Sequence, residues 1–163
     1  MIRRGEAGDV AALLEVYNHY VATSDATFDE EPRSLAAHEV WFEQFAARGP
    51  HRILVAEEEG RVLGWASSMR YRAHPAFVRT VEASIYLGPG ARGRGLGRQL
   101  YERLFELLGE EDVHCVVAGV ALPNPASVGL HLACGFRQIG VFEEYALKRG
   151  RYISSAWFQR LLG

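Results

Sequence analysis

Residues 80–98 read TVEASIYLGPGARGRGLGR, and the order of residue types within this stretch decides the fold. Thr80 to Leu87 alternate in character and read as a strand. The next eleven residues, Gly88 to Arg98, hold five glycines and three arginines. Beyond them Leu100, Leu104, Leu107 and Leu108 recur at helical spacing. A strand thus runs into a glycine-rich loop, and a helix leaves it. Three readings of the loop compete: a mobile connection with solvated arginines, the GxGxxG turn of a dinucleotide fold, and an anion cradle at a helix N-terminus. The dinucleotide turn fits poorly, because Arg98 stands where its third glycine belongs and an antiparallel group precedes the loop. The cradle has a physical basis. The first turn of a helix exposes unpaired N–H groups and a partial positive charge. Glycine lets those donors approach a pyrophosphate with no Cβ in the way, and Arg92, Arg94 and Arg98 add charge-assisted contacts.

Reading outward, RILVAEEEGRVLGWASSMRY (residues 52–71) is two apolar runs around a glycine turn, a hairpin. Ile2 to Arg4 make a short first strand. Asp9 suits the N-cap of a helix carrying Val10, Leu13, Leu14 and Tyr17 on one stripe. Ser34 suits the cap of a second helix, with Leu35, Trp41, Phe42 and Phe45 as its apolar surface and Gly49 and Pro50 as its stop. CVVAGVA (residues 115–121) is a continuous apolar run and reads as a strand buried on both faces. In NPASVGLHLACGF (residues 124–136) Asn124 suits an N-cap, Pro125 the first helical position and Gly135 the C′ position. The remainder reads as two strands turning near Lys148 to Gly150. The predicted order is a strand, two helices, three antiparallel strands, helix, strand, helix and a strand pair. That is a mixed α+β fold in one domain, residues 1–163, with helices on both faces of the sheet.

The composition bounds what such a fold does. The chain has 163 residues and a net charge of −2, which disfavours a nucleic-acid binder. No long apolar run marks a leader or membrane span, so the expectation is a cytoplasmic protein with no membrane partner. Cys115 and Cys134 form no CxxC pair and read as free, buried or semi-buried thiols. The histidines are scattered without metal-ligand spacing, so no metal is expected.

Two segments carry a resemblance. ARGRGLGRQL places Arg92, Gly95 and Gly97 in the (Q/R)-x-x-G-x-(G/A) pattern of the GNAT-superfamily N-acetyltransferases. NPASVGLHLACGF places Asn124, Ser127, His131, Gly135 and Phe136 in the helix that follows in that superfamily. The resemblance narrows to the phosphinothricin and methionine sulfoximine acetyltransferases through ATFDEEP (26–32), TVEASIYL, VAGV (117–120) and KRGRY (148–152), in order along nearly the whole chain.

The resemblance implies a three-layer fold with a splayed, mostly antiparallel sheet, and acetyl transfer from acetyl-CoA to a primary amine of a small molecule. It assigns the backbone of Ile85, Tyr86 and Leu87 to the pantetheine arm. Arg92, Gly93, Arg94, Gly95, Leu96, Gly97 and Arg98 go to the pyrophosphate, and Asn124 and Ser127 to further cofactor contacts. The Leu87 N–H is also placed to polarise the thioester carbonyl. An amine near pKa ~10 is mostly protonated at neutral pH, so the site must remove a proton. Glu82 is the candidate base: Thr80, Glu82, Ser84 and Tyr86 share one strand face, opposite Val81, Ile85 and Leu87. The plain alternative is a solvated glutamate. His131 is either a donor to the departing thiolate, a cofactor contact, or a histidine packed between helix and sheet. Asn124 has a rival reading as a helix cap.

For the acceptor, the resemblance points to Arg72 for a carboxylate and to Phe28 and Phe77 as aromatic walls, against solvated or core roles for the same residues. Here the chain departs from the family. Phe77, Val78 and Ala83 replace its usual tyrosine, arginine and histidine, and Ser154 replaces an aspartate. The acceptor half has drifted more than the donor half. A homodimer is implied by the resemblance alone. Two other readings stand beside the small-molecule enzyme: acetylation of a peptide N-terminus or lysine, and a sensor that binds acetyl-CoA without turnover.

Overall fold

The structure, a computed structural model, describes residues 1–163. The strands are β1 (Ile2–Arg4), β2 (Arg52–Glu58), β3 (Arg61–Arg70), β4 (Thr80–Leu87), β5 (Cys115–Ala121), β6 (Arg137–Lys148) and β7 (Arg151–Leu161). The helices are α1 (Val10–Thr23), α2 (Leu35–Phe42), α3 (Leu96–Gly109) and α4 (Pro125–Ala133). The predicted element order is therefore observed throughout.

The strands form one sheet in the order β1-β2-β3-β4-β5-β7-β6, antiparallel except where β4 meets β5. That parallel ladder has only three pairs, Thr80 with Cys115, Val81 with Val116 and Glu82 with Val117. From Ala83 onward β4 keeps its pairing to β3 but has no partner on the other side, while β5 continues along β7. The sheet forks at Glu82.

Two separate clusters fill the two faces. Leu100, Leu104, Phe105 and Leu108 of α3 pack on Val81, Ala83, Val116 and Ala118, with Phe136 from the end of α4. On the opposite face Leu13, Val16, Tyr17, Tyr20 and Val21 of α1 pack on Ile53, Val55 and Trp65, with Tyr86. The alternation read from TVEASIYL holds, since its odd-numbered residues join the α3 side and Tyr86 the α1 side.

Three local expectations change. Asp9 closes a 3-10 turn, Ala7–Asp9, and does not cap α1 with its side chain. Its carboxylate accepts from the Glu6 N–H at 2.8 Å and from both terminal nitrogens of Arg3 at 2.7 and 2.8 Å. A forked charge-assisted pair outweighs a neutral cap. Leu14 is only half-buried; the inward stripe keeps Val10, Leu13 and Tyr17 and continues through Val16, Tyr20 and Val21. In α2, Ser34 caps as expected, accepting from the Ala37 N–H at 3.1 Å. Leu35, however, is exposed in the first turn, and the buried anchor of α2 is His38. Its ring stacks on Trp41 at 4.3 Å, and burial pushes its pKa down to about 4. Stacked and neutral, it serves as a core aromatic.

Candidate active site

The fork in the sheet opens a cavity of about 770 Å3. Its walls are residues 83–87 of β4, residues 119–121 of β5, the glycine loop and first turn of α3 except Arg94, the start of α4, and Tyr20 of α1 with Ser24, Asp25 and Ala26 beyond it. Tyr101 and His131 belong to the α3 face, whereas Tyr20 and Ala26 belong to the α1 face. The cavity therefore passes through the sheet, from one helical layer to the other.

Its backbone donors follow from the register. The Gly88 N–H bonds the Leu63 C=O at 2.8 Å, which makes Leu63 and Gly88 a hydrogen-bonded pair. Antiparallel pairing alternates, so Gly64/Leu87 and Ala66/Ile85 are non-bonded pairs. The N–H and C=O groups of Ile85 and Leu87 thus point away from β3, into the fork.

The glycine loop delivers the second donor set. Gly93 and Gly95 lie at φ 72° and 74°, a left-handed conformation that costs other L-residues about 1–2 kcal/mol. Gly95 is the N-cap of α3 and brings no side chain to it. The Gln99 N–H is the first to reach back, bonding the Gly95 C=O at 3.2 Å. The N–H groups of Leu96, Gly97 and Arg98 precede that first intrahelical bond, and all three residues line the cavity. Gly97 has a packing reason as well: a Cβ there would stand 3.0 Å from Leu130 Cδ2.

Charges are distributed unevenly. Arg92 donates to the Tyr20 hydroxyl at 3.0 Å, and that hydroxyl donates to the Leu87 C=O. Arg98 lines the cavity while pairing with Glu102 at 2.6 Å. Arg94 pairs outward with Glu58 at 2.6 Å and does not line it. Asn124 accepts from the Ser127 N–H at 3.1 Å, so its side-chain oxygen caps α4 while the residue also lines the cavity.

His131 is buried, and both ring nitrogens are engaged. Nδ1 lies 2.7 Å from the Ser127 carbonyl, and Nε2 lies 2.9 Å from the Tyr101 hydroxyl. A carbonyl only accepts, so Nδ1 carries the proton and Nε2 accepts from Tyr101. Burial pulls the His131 pKa down and keeps the ring neutral.

Glu82 is the last residue of the β4–β5 ladder and stands at the apex of the fork, just outside the cavity wall. Its partner across β3 is Met69, which packs on the α1 side. No guanidinium or ammonium pairs with it, and burial alone raises its pKa above the usual glutamate value. The three acceptor candidates lie beyond the cavity. Arg72 is exposed, its guanidinium 5.0 Å over the Tyr71 ring, and Phe77 packs edge-on to the same ring at 5.4 Å. Phe28 is partly exposed and meets Tyr145 edge-on at 6.0 Å.

The acetyltransferase (GNAT) family model matches residues 13–136. This chain belongs to that family. The acetyltransferase is 43% identical to a phosphinothricin N-acetyltransferase of Streptomyces coelicolor over 99% of this chain and 95% of that one. It is 34% identical to an L-methionine sulfoximine/L-methionine sulfone acetyltransferase of Pseudomonas paraeruginosa, over 97% and 92% of the two chains. Its fold matches a phosphinothricin acetyltransferase of Sinorhizobium meliloti, solved in complex with acetyl-CoA, with a TM-score of 0.94. That pair is 32% identical, covering 100% of this chain and 88% of the other. Acetyl-CoA is accordingly the co-substrate of this acetyltransferase, and the donors turned into the fork suit a molecule with an amide-bearing arm and a pyrophosphate.

Sequence reading missed Tyr20 and Tyr101 as cavity residues of the acetyltransferase. Both sit on apolar helical stripes, Tyr20 three residues after Tyr17 and Tyr101 four after Gly97. Periodicity therefore marks them as core, and only the fork shows that both residues border a cavity.

Proposed function

We propose that the whole chain acts as one N-acetyltransferase domain. It moves the acetyl group of acetyl-CoA to the primary amine of a small amino acid or analogue of the phosphinothricin or methionine sulfoximine kind. The observation that carries this reading is Glu82 at the apex of a fork whose cavity joins both faces of the sheet. Acetyl-CoA supplies an activated acyl group as its thioester. On this reading the Ile85 and Leu87 N–H groups hold the pantetheine arm, with the Leu87 N–H nearest the thioester carbonyl. The first-turn donors of α3 with Arg92 and Arg98 hold the pyrophosphate, and Arg94 joins them by exchanging its surface partner Glu58 for phosphate.

Glu82 takes one proton from the acceptor ammonium, freeing the lone pair that attacks the carbonyl directly. The nitrogen sheds a second proton as the amide forms, and the departing sulfur ends as a thiol. Burial without a cation makes Glu82 a stronger base than a surface glutamate. His131 contributes as a neutral ring that accepts from Tyr101. That geometry supports a cofactor contact over a proton donor. Arg72 and Phe77 lie on the β3–β4 connection that leads into Glu82, which supports their assignment to the acceptor, and Phe28 joins them on the resemblance, two residues beyond the cavity-lining Ala26.

The reading places the enzyme in the cytoplasm, where free thiols such as Cys115 and Cys134 persist. It also makes the enzyme a homodimer, supported by the exposed apolar residues Phe142, Leu147 and Tyr152 on the β6–β7 hairpin; sedimentation of the purified chain tests this.

The decisive experiment follows thiol release from acetyl-CoA against a panel of amino acids, sulfoximines, phosphinic analogues, polyamines and peptides. Release with small amino-acid analogues is the expected result, and release with peptides alone would reassign the acceptor. Acetyl-CoA binding without release would leave a sensor.

A further inference from the structure

Lys148, the last residue of β6, is 1% exposed, and no carboxylate lies within ion-pair distance of it. Its ammonium donates to three backbone carbonyls, Val21 at 3.3 Å, Ser24 at 2.6 Å and Thr27 at 2.8 Å. Val21 lies in the last turn of α1, where the helix dipole favours a cation. Ser24 and Thr27 lie in the loop that follows. A buried ammonium with no carboxylate in contact, Asp25, Asp29 and Glu30 acting on it only at longer range, is costly, so its presence calls for a task that an apolar residue would not perform.

The loop supplies that task. Ser24, Asp25 and Ala26 line the cavity, and Phe28 follows two residues after Ala26. The neighbours of Lys148 grip the same loop. Arg149 donates to the carbonyls of Val21 and Glu30, both at 3.1 Å, and Arg151 holds both carboxylate oxygens of Asp25 at 3.1 and 3.0 Å. Those two are surface contacts. Lys148 reaches beneath the loop, and its compact head carries three donors for three converging carbonyls.

We propose that Lys148 is a positioning residue for both substrates. It ties the β6–β7 hairpin to residues 21–27, so that one rigid loop forms a wall of the acetyl-CoA cavity and sets Phe28 at the acceptor side. The inference rests on the donor and acceptor assignments above. It makes the far edge of the sheet part of the substrate site without contact to either substrate.

Lys148→Met keeps the length and removes all three donors, and Lys148→Arg keeps the charge on a planar head that cannot converge on the same three carbonyls. Three readouts are taken on each: amide hydrogen exchange, acetyl-CoA binding by calorimetry, and kcat and KM as functions of pH. In Lys148→Met, exchange rises in residues 21–28 while β2, β3 and α3 stay protected. The acetyl-CoA Kd and the acceptor KM each rise about tenfold, the equivalent of one charged hydrogen bond. The pH dependence of kcat, assigned to Glu82, is unchanged. Lys148→Arg shows the same pattern, reduced. A folded Lys148→Met with wild-type exchange in residues 21–28, or with wild-type Kd and KM, overturns the proposal. If Lys148→Met does not fold, Lys148→Arg decides by the same criteria. Failure of the wild type to bind acetyl-CoA would instead sink the functional reading, while the exchange data would still test the clamp.

Discussion

Tyr20 joins two parts of the cavity wall through one hydroxyl, which accepts from Arg92 at 3.0 Å and donates to the Leu87 C=O. The Arg92 guanidinium carbon also lies 5.4 Å from the Tyr20 ring centre. Tyr20→Phe keeps that ring and its edge contact with Tyr86 at 5.4 Å, and removes only the two hydrogen bonds. A net hydrogen bond is worth about 1 kcal/mol, or about 1.5–3 kcal/mol when one partner is charged. Arg92 is exposed, so water replaces much of what it loses, which puts the effect near the lower figure. The expected cost is about 1–1.5 kcal/mol of acetyl-CoA binding, a five- to tenfold rise in Kd. Calorimetry of acetyl-CoA with wild type, Tyr20→Phe, Arg92→Gln and the double variant measures it. If Tyr20 acts by aiming Arg92, the double variant binds no more weakly than Arg92→Gln alone. At saturating substrates kcat holds, because Glu82 is untouched. An unchanged Kd for Tyr20→Phe, or fully additive losses, refutes this reasoning.

Glu82→Gln should lower turnover by about 10²–10⁴-fold and leave acetyl-CoA affinity intact; wild-type turnover would remove Glu82 from the mechanism. In the wild type, turnover falls as pH drops through the raised Glu82 pKa. The same shift affects stability. A carboxyl whose folded pKa is raised favours folding while protonated, and that contribution is lost as pH rises through the folded value. Glu82→Gln should therefore melt higher than wild type at neutral pH, and the gap should close below about pH 4, under the ordinary glutamate pKa. Gly97→Ala drives a Cβ to 3.0 Å from Leu130 Cδ2 and 3.4 Å from Leu87 Cδ1. Leu130 must yield by a few tenths of an ångström, while alanine gains about 0.5–1 kcal/mol over glycine within α3, so stability in denaturant unfolding should change by less than about 1 kcal/mol while acetyl-CoA binding weakens. Arg94→Glu combined with Arg98→Glu removes two exposed surface pairs, so the melting temperature should barely move. Acetyl-CoA affinity should fall by about tenfold or more and lose much of its salt dependence, and an unchanged affinity would exclude both arginines from the cradle.

The amino-acid sequence alone determined the element order and the loop and helix ends that wall the cavity. Those signals are local: strand alternation in residues 80–87, glycines that adopt left-handed backbone before α3, and a cap, proline and terminal glycine around α4. Each acts through neighbours in the chain, so residue types suffice to read it. Local signals also misled, as at Asp9, where Arg3 from another element drew the carboxylate away from the expected cap.

Only the tertiary structure decided where the β4–β5 ladder ends, because that depends on two strands separated by a helix. With the fork came the cavity, Glu82 at its apex, and the change of Tyr20 and Tyr101 from core aromatics to cavity residues. The tertiary structure also set His131 as a neutral ring, through a carbonyl on one nitrogen and a tyrosine from α3 on the other. Lys148 shows the limit most plainly. A lysine at a strand end reads as solvated, since its chemistry favours water. It is buried because three carbonyls, more than a hundred residues earlier in the chain, converge on it.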